Sequence, residues 1–327
     1  MLSRRQFVTA LGTSLFARAA PSFAQQSTPR VPLVAFIGLD SGNSHRFEAF
    51  REGLRDRGYR EGVNIQLAAP NLDDRYERMA EAVSELVRRN VRVIVTWGST
   101  ATNAARKAAA AVPIVMVSGI DPVKAGFADS LAHPGGNITG VLLESQNLTA
   151  KRLEILKDIL PGLVRVGLLV NPDSRGSTTS VMEVQSAATV LRLELQKAEV
   201  RASTEFEAAF AQLVKANVGA VYVTPSTMFA ADRARIAALA TKNRLPAIFS
   251  GNDFADAGGL VSYGTDGRDA FRRAAGYVDK ILKGAKPSDL AIEQPTKFEL
   301  VINLRAAKEI GVQIPQQMVL RADRLIE

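Results

Sequence analysis

The sequence predicts an α/β protein of two doubly wound lobes, each a parallel sheet covered by helices, with a hinge and a cleft between them. Short apolar runs such as Leu33–Ile37 alternate with amphipathic stretches, the pattern of βαβ units in a parallel sheet buried on both faces. The chain has 327 residues, 46% of them hydrophobic, which is enough for two domains with separate cores. The order of elements in the first half also returns in the second half.

In the first half, apolar runs predict strands at 33–37, 64–67, 91–96 and 114–117, and helical spacing predicts helices at 47–58, 79–87 and 101–111. In the second half, strands are predicted at 166–170, 217–224, 245–249, 260–264 and 298–302. A helix at 270–282 is expected to stop before Gly284, and Asn303 to cap a last helix that ends towards Gly311.

Polar residues at the ends of the predicted strands repeat between the halves. Ser99-Thr100 closes one strand in the first half, and Ser226-Thr227 closes its counterpart. The segment 118–121 reads Ser-Gly-Ile-Asp, and the segment 250–253 reads Ser-Gly-Asn-Asp. These matches keep the same order along the chain, which indicates two lobes of one topology.

Residues 1–24 have the pattern of a secretory signal. Arg4-Arg5 followed by Phe7 is similar to a twin-arginine signal, an apolar stretch runs from 8 to 16, and Ser22-Phe23-Ala24 provides small residues for cleavage. An ordinary Sec signal or a mitochondrial presequence is the alternative interpretation. The apolar stretch is shorter than the roughly 20 residues that span a bilayer. We therefore expect a periplasmic protein without membrane insertion of the mature chain.

Composition excludes several classes of function. Because the chain has no cysteine, it has no disulfide, thiolate nucleophile, cysteine-bound zinc or lipid-anchoring cysteine. The formal net charge is +8, but the charges are scattered, so nucleic-acid binding is not expected. The two histidines, His45 and His133, offer no metal-ligand spacing, and the sequence has no nucleophile elbow, P-loop or dinucleotide fingerprint. We expect no enzyme activity, no metal and no cofactor.

Candidate binding residues lie where predicted strands end, because ligands bind beyond the carboxyl ends of parallel strands. Ser99 and Thr100 open a helix, whose free N–H groups and dipole suit a carboxylate. Ser226 and Thr227 hold the matching place in the other half. Helix capping without ligand contact is the alternative for both pairs.

Carboxylates and further polar residues follow other strands. Asp121 and Asp253 are candidates to accept hydrogen bonds from a ligand ammonium, although Asp121 precedes Pro122 and is equally explained as a helix cap. Four further candidates, each equally explained as a turn residue, follow the first strands of the two halves: Asp40, Ser41, Asn43 and Asn171.

Two aromatic residues complete the candidate site. Trp97, the single tryptophan, ends a strand beside Ser99 and is a candidate to stack on a planar or cationic ligand; core packing is the alternative. Tyr263 precedes Gly264 at a possible crossover between lobes, where glycine permits hinge torsions.

Several segments together resemble the ABC-transporter solute-binding proteins of the tryptophan/tyrosine type, over about residues 31–327. They are TWGSTA at 96–101, DPV at 121–123, HPGGNITG at 133–140, GGLVSYG at 258–264 and ILKGAKP at 281–287. The resemblance implies a type I periplasmic-binding fold with three crossovers, and delivery of a ligand to a membrane permease and its ATPase. It also implies Ser99 and Thr100 as carboxylate binders and Asp253 as an amine partner. Trp97 departs from the smaller residue expected there, which puts an aromatic amino acid in doubt.

With this resemblance, the lobe boundaries become an N-terminal lobe at 31–143 plus 265–295 and a C-terminal lobe at 144–264 plus 296–327. The functional hypothesis is a monomeric periplasmic component of an ABC importer that closes on a small carboxylate-bearing ligand, an amino acid or an aromatic acid. A periplasmic ligand sensor that presents its ligand to a receptor is the alternative, and a periplasmic hydrolase is a weaker one.

Overall fold

The computed structural model describes residues 31–38, 44–72, 75–143, 148–174 and 176–327. The predicted signal segment and three candidate site residues, Asp40, Ser41 and Asn43, lie outside the described residues. Within the described residues, no helix is long and apolar enough to span a membrane.

The first sheet has five parallel strands in the order β2-β1-β3-β4-β5. The strands are β1 (Leu33–Ile37), β2 (Gln66–Ala68), β3 (Val93–Trp97), β4 (Ile114–Ser118) and β5 (Ile138–Leu142). The helices packed on it are α1 (His45–Arg55), α2 (Met79–Arg88), α3 (Ser99–Ala108) and α10 (Gly267–Leu282), and a 3-10 turn at Tyr76–Arg78 precedes α2.

The second sheet has seven strands in the order β12-β11-β10-β9-β8-β6-β7. The strands are β6 (Arg165–Val170), β7 (Glu194–Glu199), β8 (Ala220–Val223), β9 (Ala247–Phe249), β10 (Val261–Gly264), β11 (Glu299–Asn303) and β12 (Arg324–Ile326). Its helices are α4 (Leu148–Ile159), α5 (Ser177–Leu191), α6 (Phe206–Lys215), α7 (Thr227–Ala231), α8 (Arg233–Lys242), α9 (Asn252–Asp256), α11 (Leu304–Ile310) and α12 (Gln316–Arg321). Short 3-10 turns lie at Ser203–Glu205 and Pro287–Asp289.

The predicted fold class of two doubly wound α/β lobes is confirmed, with one antiparallel pair. β10 and β11 pair antiparallel, with Gly264 opposite Glu299. β10 ends where the chain leaves for the first sheet, and β11 begins where the chain returns, so the two strands must run in opposite directions.

Alternation along each strand divides the residues between two cores. In β1, Leu33, Ala35 and Ile37 pack on one face of the first sheet, while Val34 and Phe36 pack on the other. The ring centroid of Phe36 lies 5.3 Å from that of Phe47 in α1 and 5.6 Å from that of Phe271 in α10. Helix α10 therefore completes the core of the first sheet, although it follows most of the second sheet in sequence.

The sequence did not predict several elements, among them β5, β7, β12, α4, α5, α6 and α8. β5 reads Ile-Thr-Gly-Val-Leu, and Gly140 interrupts its apolar run. Gly140 has a φ of 145°, and a Cβ there would collide with the carbonyl oxygen of Met116 in β4. The predicted cap at Asn303 is confirmed, because its side chain accepts from the N–H of Ala306 at 2.9 Å.

Three chain segments connect the two sheets: one after β5, one after β10 and one before β11. The first two lie side by side, since the Thr265 hydroxyl donates to the carbonyl of Leu143 at 2.9 Å. The third runs beside β5, where the N–H of Glu293 donates to Gly140 at 2.9 Å. The lobe boundaries given above stay a prediction, with these connections as their physical basis.

Candidate functional site

A cleft of about 770 Å³ lies between the carboxyl ends of the strands of the two sheets. Six predicted site residues line it: Trp97, Ser99, Asp121, Ser226, Thr227 and Asp253. Polar residues from both duplicated segments therefore line the cleft, as the repeat in the sequence indicates.

Three other predicted residues do not line the cleft. Thr100 follows Ser99 in α3, and one helical step of about 100° turns its side chain away from the cleft. Tyr263 packs against the core of the second sheet, with its ring centroid 6.3 Å from that of Phe298. Asn171 is buried beneath the cleft, which places it behind the lining.

Asn171 acts on a neighbouring residue of the cleft. Its side-chain amide donates to the Ser226 hydroxyl at 3.4 Å, and its Oδ1 accepts from the N–H of Asp173 at 3.0 Å. The prediction of a turn residue thus fits its contacts, and the same side chain positions Ser226.

The turn before α3 brings the two lobes together. Gly98 has a φ of 85°, and a Cβ there would collide with Cγ2 of Thr227 from the other lobe. Two contacts of the Thr102 hydroxyl hold this turn. The hydroxyl lies 2.8 Å from that of Thr96, and it donates to the carbonyl of Gly98 at 2.9 Å. Ser99 is buried at the first position of α3, facing the cleft.

Asp253 lies in α9 and pairs with Arg46 from α1 of the opposite lobe. Arg46 is only 5% exposed, and its guanidinium carbon lies 4.0 Å from the centroid of the Trp97 ring. His45 Nε2 lies 3.7 Å from the same carboxylate. The residue proposed from sequence as an amine partner therefore holds an arginine of the protein itself.

Sequence reasoning missed Arg46, although one signal was available. Arg46 lies four residues before Phe50, so the two share the face of α1 that packs on the sheet. A charged residue on an otherwise apolar helix face needs a partner, since burying an unpaired charge is costly. Here Asp253 and the Trp97 ring provide that compensation.

The pKa of His45 reflects burial and the charges at this corner of the cleft. Burial lowers its pKa from 6.5 to about 4, and the nearby positive charge of Arg46 adds to the decrease. The Asp253 carboxylate acts in the opposite direction, while Arg233 and Arg268 lower the pKa further. The imidazole is therefore neutral at physiological pH.

A second buried arginine, Arg152, lines the cleft from α4. It is 1% exposed and donates from Nε to the carbonyl of Tyr263 at 2.7 Å. Its Nη1 lies 3.5 Å from the Tyr222 hydroxyl. Arg152 thus joins α4 to the end of β10, where the chain crosses between the sheets.

Asp121 is both a cap and a cleft residue. Its carboxylate accepts from the N–H groups of Val123 at 2.9 Å and Lys124 at 3.2 Å, and the Lys124 ammonium lies 3.9 Å away. Across the described ranges, no group of three or more His, Asp or Glu side chains is arranged to hold a metal ion.

The residues 30–326 match the family model of ABC transporter substrate binding proteins. A tyrosine-binding protein of Clostridioides difficile is 26% identical over 267 residues, which cover 81% of this chain and 76% of that protein.

Two solved structures show the same fold. A conserved domain protein of Vibrio cholerae is 25% identical, with a TM-score of 0.82 over 90% of this chain and 100% of that chain. An ABC domain from Streptococcus pneumonia in complex with L-Trp is 22% identical, with a TM-score of 0.82 over 90% of this chain and 99% of that chain.

Proposed function

Because this chain belongs to the family of ABC transporter substrate binding proteins, we propose that it captures a small carboxylate-bearing ligand and delivers it to an ABC importer. The ligand class is an amino acid or an aromatic acid. The observation that carries the proposal is the cleft of about 770 Å³, into which Ser99 of one lobe and Ser226 of the other both face.

The chemistry of the lining supports a carboxylate. Two buried arginines, Arg46 and Arg152, contribute positive charge. Ser99 stands at the first turn of α3, a helix of 10 residues whose N-terminal N–H groups suit an anion. The tyrosine-binding protein and the L-Trp complex among the relatives support a ligand that carries a carboxylate beside a ring.

Closure of the lobes is the proposed mechanism. A ligand that contacts both lobes stabilises the closed form, because only closure provides both sets of contacts. The described lobes already touch at Gly98 and Thr227, and at Ile120, whose Cγ2 would lie 2.9 Å from a Cβ on Gly176. The permease would then recognise the closed surface, and the protein would bind its ligand without chemical change.

The test is a pair of serine substitutions, measured by calorimetry with ligands identified by mass spectrometry after denaturing release. Ser99→Ala combined with Ser226→Ala is expected to weaken binding at least tenfold while leaving the melting temperature within a few degrees. Ser84→Ala with Thr189→Ala is the matched control, because both hydroxyls donate to carbonyls within their own helices away from the cleft. Equal affinity of the double serine variant and the control would refute the site.

We also propose that residues 1–24 direct export to the periplasm by the twin-arginine route. The paired Arg4 and Arg5, the short apolar stretch and the small residues at 22–24 support it. Replacing both arginines by lysine is expected to retain the protein in the cytoplasm on cell fractionation. Undiminished periplasmic yield would instead favour the Sec route.

A further inference from the structure

Six carboxylates of described residues line the cleft, and four of them face a cation of the protein. Asp253 pairs with Arg46, Asp256 with Arg324 at 2.7 Å, Glu299 with Lys297 at 3.3 Å, and Asp121 with Lys124 at 3.9 Å. The other two, Asp266 and Glu183, are exposed. Asp266 accepts from the N–H of Arg268, and Glu183 accepts from the Thr149 hydroxyl.

The Arg46 guanidinium occupies the place where a ligand cation would be expected. An ammonium group in a protein site is typically held by a carboxylate and by the face of an aromatic ring. Asp253 and Trp97 provide these two groups, and Arg46 lies between them, paired with the carboxylate and 4.0 Å from the ring centroid. Helix α1 therefore brings its own cation to this corner when the lobes meet.

The surrounding positive charges also disfavour a ligand cation in this corner of the cleft. Arg46, Arg233 and Arg268 all act to lower the pKa of His45, and Asp253 opposes them. The positive charge of Arg268 is partly compensated by Glu52, whose carboxylate oxygens lie 3.0 and 3.1 Å from its Nη2. Asp253 is therefore an acceptor already used by the protein, in a corner where the described cations outnumber it.

We propose that Arg46, held by Asp253 and stacked on Trp97, is a specificity-determining residue that excludes a ligand ammonium group from the corner of the cleft between Asp253 and Trp97. A ligand that places its polar end in this corner is then a carboxylic acid without an α-amino group, in contrast to the tyrosine and L-Trp named for the relatives. This inference rests on the proposed function, since it chooses between the two ligand classes named there.

The test compares ligand pairs that differ only in the ammonium group. The pairs are L-tryptophan with indole-3-propionate, L-tyrosine with 3-(4-hydroxyphenyl)propionate, and L-leucine with 4-methylpentanoate. Binding to the mature chain is measured by calorimetry. In any pair that binds, the acid without the ammonium group is expected to bind at least tenfold more tightly than the amino acid. An amino acid bound as tightly as its acid overturns the inference and leaves the proposed function standing. Failure of all six compounds to bind overturns both.

Variants of the pair separate a specificity role from a structural one. Arg46→Met keeps an apolar stem in place of the arginine stem but removes the guanidinium that pairs with Asp253, so the preference is expected to move at least tenfold towards the amino acid. Asp253→Asn removes the negative charge that Asp253 places beside Arg46, so the preference for the acid is expected to increase. Arg51→Met, which removes a partly exposed cation of α1 paired with Glu48 and Glu61, is expected to leave the ratio of the two affinities unchanged.

Arg46→Met and Asp253→Asn are expected to change the ligand preference in opposite directions, so either variant alone tests the role of Arg46 if the other folds poorly. Circular dichroism identifies such a variant, and the other then decides the question. A ratio of affinities that stays constant in the folded variants overturns the proposed role of Arg46, because a merely structural residue would weaken both members of a pair equally.

Discussion

Gly98 and Thr227 meet across the cleft at a separation that leaves no room for a Cβ on the glycine. Each lies in one of the two duplicated strand ends, and each comes from a different lobe. Glycine is required at this position for a second reason, because its φ of 85° is in the left-handed region that side chains disfavour. The contact therefore limits how closely the lobes approach.

Gly98→Ala is expected to hold the lobes apart and to weaken ligand binding at least tenfold. Small-angle scattering with ligand present should show a larger radius of gyration than the wild type. Thr227→Ser in the same chain removes Cγ2 and should restore part of the affinity. Gly58→Ala is the control, because Gly58 has a nearly equal φ of 86° with nothing within 4 Å of the added atom. If Gly98→Ala and Gly58→Ala weaken ligand binding equally, the loss of affinity comes from backbone strain and not from the contact with Thr227.

Arg152→Met is expected to destabilise the folded protein by about 2–4 kcal/mol, because it removes a buried guanidinium and leaves the carbonyl of Tyr263 without this donor. Chemical denaturation measures the free energy of unfolding. Arg235→Met, at an arginine whose side chain is 40% exposed and paired with Glu207, should cost no more than about 1 kcal/mol. A similar loss in both variants would contradict the structural role of Arg152.

The pH dependence of stability should carry a contribution from His45. Its pKa of about 4 in the folded protein lies below the ordinary 6.5, so the folded state binds fewer protons than the unfolded state between these values. Stability is therefore lost as the pH falls from about 6.5 to about 4. The melting temperature of His45→Gln should decrease less between pH 6.5 and pH 4 than the melting temperature of the wild type. His133→Gln, at the exposed histidine of a turn, should follow the wild-type curve.

Trp97 should report binding through its fluorescence, because it is the single tryptophan and it lines the cleft. Its ring is 4% exposed and stacked with Arg46, so a ligand that enters the cleft changes the surroundings of the indole. Titration with a non-fluorescent acid such as 4-methylpentanoate should change the emission with the dissociation constant found by calorimetry. An emission spectrum insensitive to a ligand that calorimetry detects would place that ligand away from Trp97.

The sequence could predict the lobes and the strand-end residues because both depend on local periodicity. A buried strand must be apolar, and the residue after it must be polar where a cleft begins, so pattern alone predicts that Ser99 and Ser226 lie where the structure has its cleft. β5 was missed for the same reason, because Gly140 breaks the apolar run that identifies a strand.

The cations of the cleft could not be predicted in the same way. Arg46 and Arg152 act through partners 207 and 111 residues away, Asp253 and Tyr263. No local pattern identifies such a partner, because it depends on how α1 and α4 are placed against the opposite elements. Asp253 lines the cleft, but its pairing with Arg46 could be learned only from the packed lobes.

The position of α10 in the chain has a consequence for synthesis. On the ribosome, β1 and α1 emerge first, yet Phe36 and Phe50 lack the packing of Phe271 until the chain has passed β10. The first sheet therefore cannot complete its core as an independent nascent domain, and it waits while most of the second sheet is made. A truncated product that ends before residue 267 would expose this apolar face to proteases and chaperones.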